Sequence, residues 1–117
     1  MKLADVEKFL LGLPAATLSI QWGNDRIFKV GGKMFAAMGP HDGDAKSISF
    51  KTSDESFRIL TELAGIKPAP YLARAQWIQL DKPTRLPAKE LKAYLTRAHA
   101  IVASGLPKKT QKELGLA

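Results

Sequence analysis

The stretch that decides the fold is Arg26-Ile-Phe-Lys-Val-Gly-Gly-Lys-Met-Phe-Ala-Ala-Met38. Two apolar-rich, β-compatible runs flank Gly31-Gly32. A glycine pair in that setting reads as a two-residue hairpin loop, because such loops need positive φ and glycine adopts it without steric cost. With the pair as the whole loop, the cross-strand partners follow: Val30 with Lys33, Lys29 with Met34, Phe28 with Phe35, Ile27 with Ala36. Side chains alternate along a strand, so Phe28, Val30 and Phe35 are expected on one face and Ile27, Met34 and Met38 on the other. A lysine stands beside the turn on each strand. The hairpin therefore reads either as scaffold or as a basic wing that touches a partner.

Upstream of the hairpin, Leu3, Val6, Leu10 and Leu13 recur at helical spacing with Phe9 adjoining, and Gly12 and Pro14 end that helix. Residues 17–22 read as a strand in which Leu18, Ile20 and Trp22 alternate with Ser19 and Gln21, and Gly23-Asn24-Asp25 turns the chain. Downstream, residues 39–44 are a loop by composition. Residues 47–51 read as a half-buried strand with Ile48 and Phe50 on one face. Thr52 and Glu55 have capping-box spacing and open a second helix with Phe57, Leu60, Leu63 and Ala64 as its stripe, stopped by Gly65. Pro68 and Pro70 hold the next segment extended. Residues 76–80 read as a short strand. Residues 87–103 read as a third helix lined by Leu91, Tyr94, Leu95, Ala98, Ile101 and Val102, with His99 at the edge of that stripe. Gly105 and Pro107 end it, and the tail carries one more turn anchored by Leu106 and Leu114.

The order α-β-β-β-β-α-β-α describes an α+β fold: a two-layer sandwich, mostly antiparallel sheet with helices packed on one side. At 117 residues the expectation is one domain, 1–117, with a basic C-terminal tail from about residue 104. A chain of this length buries enough surface to fold without disulfides or metal. It has no cysteine, which excludes a thiolate metal site and a cysteine nucleophile. No apolar stretch approaches a membrane span, and the charged first residues lack a signal-peptide core, so the expected location is the cytoplasm.

The net charge is +7, unevenly spread. Residues 1–81 carry ten Lys/Arg against nine Asp/Glu, whereas residues 82–117 carry eight against Glu90 and Glu113. That excess suits a polyanionic partner. Catalytic patterns are missing. There is no nucleophile elbow, and Gly31-Gly32-Lys33 is followed by Met34-Phe35 where a phosphate loop needs a hydroxyl and a helix. His41, Asp42 and Asp44 form turn chemistry first and a poor cation site second, without the ligand spacing of a calcium loop. No enzyme and no cofactor is expected. What remains is a basic set on strands, loops and tail: Arg26, Lys29, Lys33, Lys51, Lys67, Arg74, Lys108, Lys109 and Lys112. Taken singly, each is a solvated lysine or arginine, or an edge-strand guard. Taken together, they are the candidates for phosphate contacts.

Several segments, in order, carry a family resemblance. These are Leu13-Pro14 at the helix end, Phe28-Lys-Val-Gly-Gly-Lys-Met-Phe35, and Ile48-Ser-Phe-Lys51 before an acidic helix start. Gly65-Ile-Lys-Pro68 with Tyr71, Ala75-Gln-Trp77 and Leu106-Pro-Lys-Lys109 complete them. The whole chain resembles the MmcQ/YjbR family of small bacterial proteins. It departs at Gln76, where many members have His, and at His99, where many have Tyr. The resemblance implies a compact α+β domain with a double-wing motif, described as DNA-binding. The expected function is thus non-catalytic DNA binding, mainly to phosphates, through the hairpin and the basic C-terminal segment. The alternative is a protein-interaction adaptor or homodimer that uses a sheet face left open by a single helical layer, with Ile27, Met34 and Met38, or their opposites, either exposed on it or covered by the tail or a second chain.

Overall fold

The computed structural model describes residues 1–21, 25–39 and 46–116. Six strands form one antiparallel sheet in the order β1-β2-β3-β4-β6-β5. They are β1 (Ala16–Gln21), β2 (Asp25–Val30), β3 (Lys33–Met38), β4 (Ile48–Lys51), β5 (Ile66–Pro68) and β6 (Trp77–Leu80). The helices are α1 (Leu3–Leu11), α2 (Asp54–Leu60), α3 (Ala88–Ser104) and α4 (Lys108–Glu113), with 3-10 turns at Ala73–Ala75 and Pro83–Arg85. The α+β sandwich expected from the sequence is the one observed, with a short strand β5 and helix α4 added. Trp22, the turn at residues 23–24 and the His41, Asp42 and Asp44 cluster lie outside the described residues.

The core lies between one sheet face and the helices. Phe28, Phe35, Phe50, Ile48, Ile78 and Leu80 meet Val6 and Leu10 of α1, Leu60 of α2, and Leu91 and Leu95 of α3. On α3 the stripe also buries His99, whose Nε2 donates to the Pro14 carbonyl at 2.7 Å and whose ring meets Phe35 edge-on at 5.2 Å. It thus ties the last long helix to the turn that leads into β1.

The hairpin departs from a regular ladder. Val30 pairs with Lys33 and Lys29 with Met34, as expected, but Phe28 then pairs with Ala36 and Ile27 with Ala37. Phe35 is an extra residue, a β-bulge. The physical reason is packing: Phe35 and Ala36 are both fully buried, and a bulge lets two successive residues turn toward the helices. The shift also reverses the far half of β3, so Met38 joins the core cluster instead of facing away with Ile27 and Met34.

Two other boundaries move. The α2 N-cap is Ser53, whose Oγ accepts the Ser56 N–H at 3.1 Å; Thr52 instead donates its hydroxyl to the Gln76 carbonyl at 2.7 Å. The helix ends at Leu60, a turn before Gly65, because successive turn bonds from Leu63 to Leu60 and from Ile66 to Leu63 lead the chain into β5. Leu63 and Ala64 are exposed in consequence. Strand β4 is buried on both sides rather than half-buried: Ser47 and Ser49 are covered along with Ile48 and Phe50.

Candidate nucleic-acid interface

The geometry starts at the hairpin turn. Gly31 and Gly32 have φ of +59° and +81°, the left-handed region that a two-residue loop demands. A Cβ on Gly31 would stand 2.6 Å from Leu106 Cδ1. The tip is therefore seated on the junction between α3 and α4. Leu106 is itself core, and its carbonyl accepts Gln111 Nε2 at 2.8 Å. The sequence suggests two separate sources of positive charge, the tip and the tail; the structure sets them side by side.

A cleft opens at this junction, with Gly32, Lys33, Lys51, Ala75, Trp77 and Gly105 among its walls and no acidic residue in its lining. Lys33 is exposed. Lys51 is half-buried and directs its ammonium to the Ala75 carbonyl, which steers it across the cleft wall. Arg74 precedes Ala75 on an exposed turn. Lys108 and Lys109 open α4 immediately beyond Leu106-Pro107, and Lys112 follows one turn later; all three are exposed. Lys29 sits one pair from the turn, across from Met34, on the sheet face away from the helices. Lys33 and Lys51 thus share the cleft lining, while Arg74 adjoins its wall residue Ala75 in the chain and Lys108, Lys109 and Lys112 lie on the helix that starts just beyond Gly105.

Two candidates stand apart. Arg26 lies on the helix side at the opposite end of β2, ion-paired with Glu7 of α1. Lys67 belongs to the edge strand β5, opposite Gln79. Among the described residues no three histidines or carboxylates come together to hold a metal, and no helix is long and apolar enough to cross a membrane.

The sheet face away from the helices carries a second feature. A cavity of about 360 Å³ is lined by Ile27, Met34, Ala37, Ser49, Leu72 and Gln79, together with Ala69 and Pro70 of the segment after β5. Ile27 is only 1% exposed, so the open apolar face expected from a one-layer fold is covered. Two polar side chains meet in the lining, where Gln79 Nε2 approaches Ser49 Oγ at 3.4 Å. Tyr71 stands at the rim, 87% exposed and held at φ +67°. Met34 borders both the cavity and the cleft. Sequence reasoning misses this cavity, because it depends on an irregular segment folding back over the strands.

The YjbR family model matches residues 11–101. The crystal structure of the Deinococcus radiodurans protein DR2400, with a DUF419 domain, superposes with a TM-score of 0.85 at 24% identity, covering 99% of this chain and 89% of that one. A Pseudomonas syringae protein solved by structural genomics superposes at 0.68 and 19% identity, over 87% of this chain and 99% of its own. At such identities the likeness is one of fold. No curated protein matches the chain.

Proposed function

This chain belongs to the YjbR family, and from that premise we propose that it binds double-stranded DNA through phosphate contacts, without chemistry and without reading base edges. The observation that carries this reading is the seating of the hairpin tip on Leu106. It sets Lys33 and Lys51 in an acid-free cleft lining, with Arg74 next in the chain to the wall residue Ala75 and with Lys108 and Lys109 opening the helix just beyond Leu106. Cations on a rigid scaffold attract the backbone of a duplex and release its counterions, a driving force that needs no base-specific partner. The two-winged role that the resemblance implies falls to the tip and the neighbouring tail, acting as one surface.

The test is duplex affinity, by fluorescence anisotropy with a labelled duplex, across a salt series. The logarithm of affinity is expected to fall linearly with the logarithm of salt, at about −0.9 per neutralised phosphate. Lys33→Glu and Lys109→Glu are each expected to flatten that slope by about one unit. Arg58→Glu, an equal charge change on the exposed face of α2, is expected to leave it nearly unchanged. No binding at low salt, or equal effects from all three variants, would overturn the reading.

A second reading, protein interaction, is favoured by the cavity under residues 69–72. Its size and apolar walls with few polar groups are those of a binding pocket. Filling it with Ala37→Trp is expected to abolish recovery of any partner that co-purifies with the unaltered protein, and to leave duplex affinity intact.

A further inference from the structure

The two edges of the sheet are built differently. The β5 edge is three residues long and carries Lys67 and Pro68, both devices that discourage another strand from pairing there. The β1 edge is six residues of Ala-Thr-Leu-Ser-Ile-Gln, with no charge, no proline and no bulge. Among the described residues no strand pairs with its outer side, and Ile20 is 57% exposed on it.

Which backbone groups that edge presents follows from the hairpin turn. In a two-residue loop the closing pair, Val30 and Lys33, exchanges hydrogen bonds, so Val30 turns its N–H and C=O toward β3. Lys29 therefore turns toward β1 and pairs there with Thr17. The β1–β2 pairing has no interruption, so Thr17, Ser19 and Gln21 face β2, while Leu18 and Ile20 present their N–H and C=O outward. Ala16 has the same parity as Leu18, and its N–H indeed goes elsewhere, to the Leu13 carbonyl at 3.1 Å.

We infer that the protein pairs with a second copy of itself, antiparallel along β1 and centred on Ser19, to make a continuous twelve-stranded sheet (six strands from each copy). A two-fold axis through Ser19 keeps the helix-side residues of both copies on one face. It sets Leu18 opposite Ile20 of the second copy, and Ile20 opposite its Leu18. The outward N–H and C=O groups of those residues are then all paired, and the exposed Ile20 side chain is buried against leucine. An axis through Leu18 would oppose Ile20 to Ala16, whose N–H is already engaged. The net charge of +7 on each copy opposes association, so the dimer strengthens as salt is raised. Phosphate binding responds in the opposite direction, so the two readings separate in one titration.

The chain has no cysteine, which makes crosslinking decisive. In the proposed register Ser19 faces its own copy as a non-hydrogen-bonded pair at about 4.5 Å between Cα atoms, within the span of a disulfide. Ser19→Cys, oxidised at micromolar concentration without nucleic acid, is expected to give a covalent dimer. Ile59→Cys, on α2 and more exposed than the half-buried Ser19, is expected to stay largely monomeric. Light scattering on the unaltered protein is expected to report two chains. Ile20→Lys should return the mass to one chain that still unfolds cooperatively, with a melt that no longer rises with protein concentration, since Ile20 is exposed in the isolated fold. A single-chain mass at the highest attainable concentration would overturn the proposal. So would a dimer indifferent to Ile20→Lys, or equal crosslinking of both cysteine variants.

Discussion

At Gly31 two demands coincide that a side chain cannot meet. Its φ of +59° is the left-handed region, and its missing Cβ is the space occupied by Leu106 Cδ1. Gly32 has only the first demand, with nothing within 4 Å of an added Cβ. Gly32→Ala is therefore expected to cost the conformational penalty alone, about 1 kcal/mol, and Gly31→Ala about 2 kcal/mol or more. Chemical denaturation of the two variants checks the order. The need for positive φ is legible in a Gly-Gly pair between strands; the close approach of a residue from the far end of the chain is not. A similar local device sits at Asp81, whose carboxylate takes two hydrogen bonds from Arg85 at 2.7 and 2.8 Å. Those bonds hold its pKa below the ordinary 3.8. The ionised carboxylate is the form the fold favours. Its contribution is complete above the usual carboxylate range and is lost as pH falls through the depressed value. Asp81→Asn is expected to remove that pH dependence: the variant is less stable than the unaltered protein near neutral pH, and the difference closes as pH falls through the depressed value, measured as denaturation midpoints down the acid range.

Elements were legible where periodicity spoke and illegible where packing chose between neighbours. The stripe of α3 and the alternation of Ile48 and Phe50 follow from side-chain spacing, and both face the core as expected. The α2 cap does not follow: Thr52 and Ser53 are both capping residues, and spacing to Glu55 favours the first. The structure uses Thr52 to hold the Gln76 carbonyl, which leaves Ser53 for the helix. Ser53→Ala is accordingly expected to cost about 1 kcal/mol in urea unfolding. The bulge was illegible for a related reason. Strand pairing alone favours Phe28 opposite Phe35, and only the volume available beneath the helices decides that Phe35 and Ala36 both turn inward. The bulged ring is fully buried, so Phe35→Ala is expected to cost about 3–5 kcal/mol although the residue has no cross-strand partner.

Over the whole molecule, the charge census located the excess in the last third of the chain but not its position in space. Only the contact of Gly31 with Leu106 brings the tip that carries Lys33 to the junction from which the tail starts. Leu106 is what joins them, and it is 5% exposed. Leu106→Ala is expected to cost about 2–4 kcal/mol. Amide hydrogen exchange in the 30–33 turn should accelerate together with that at the start of α4. A polar surface variant such as Lys108→Gln should leave both rates unchanged.

The distance along the chain between the partners of that contact has a bearing on how the molecule is made. Gly31 meets Leu106, and Pro14 meets His99, so the early hairpin and the turn before it are both secured by residues from the last helical stretch. On a ribosome, the first three strands emerge long before either partner exists. Such non-local closures form late and slowly. The nascent chain must therefore carry an incomplete sheet, with β1's uncharged edge exposed, until synthesis is nearly over. Slow translation through the third helix would lengthen that interval.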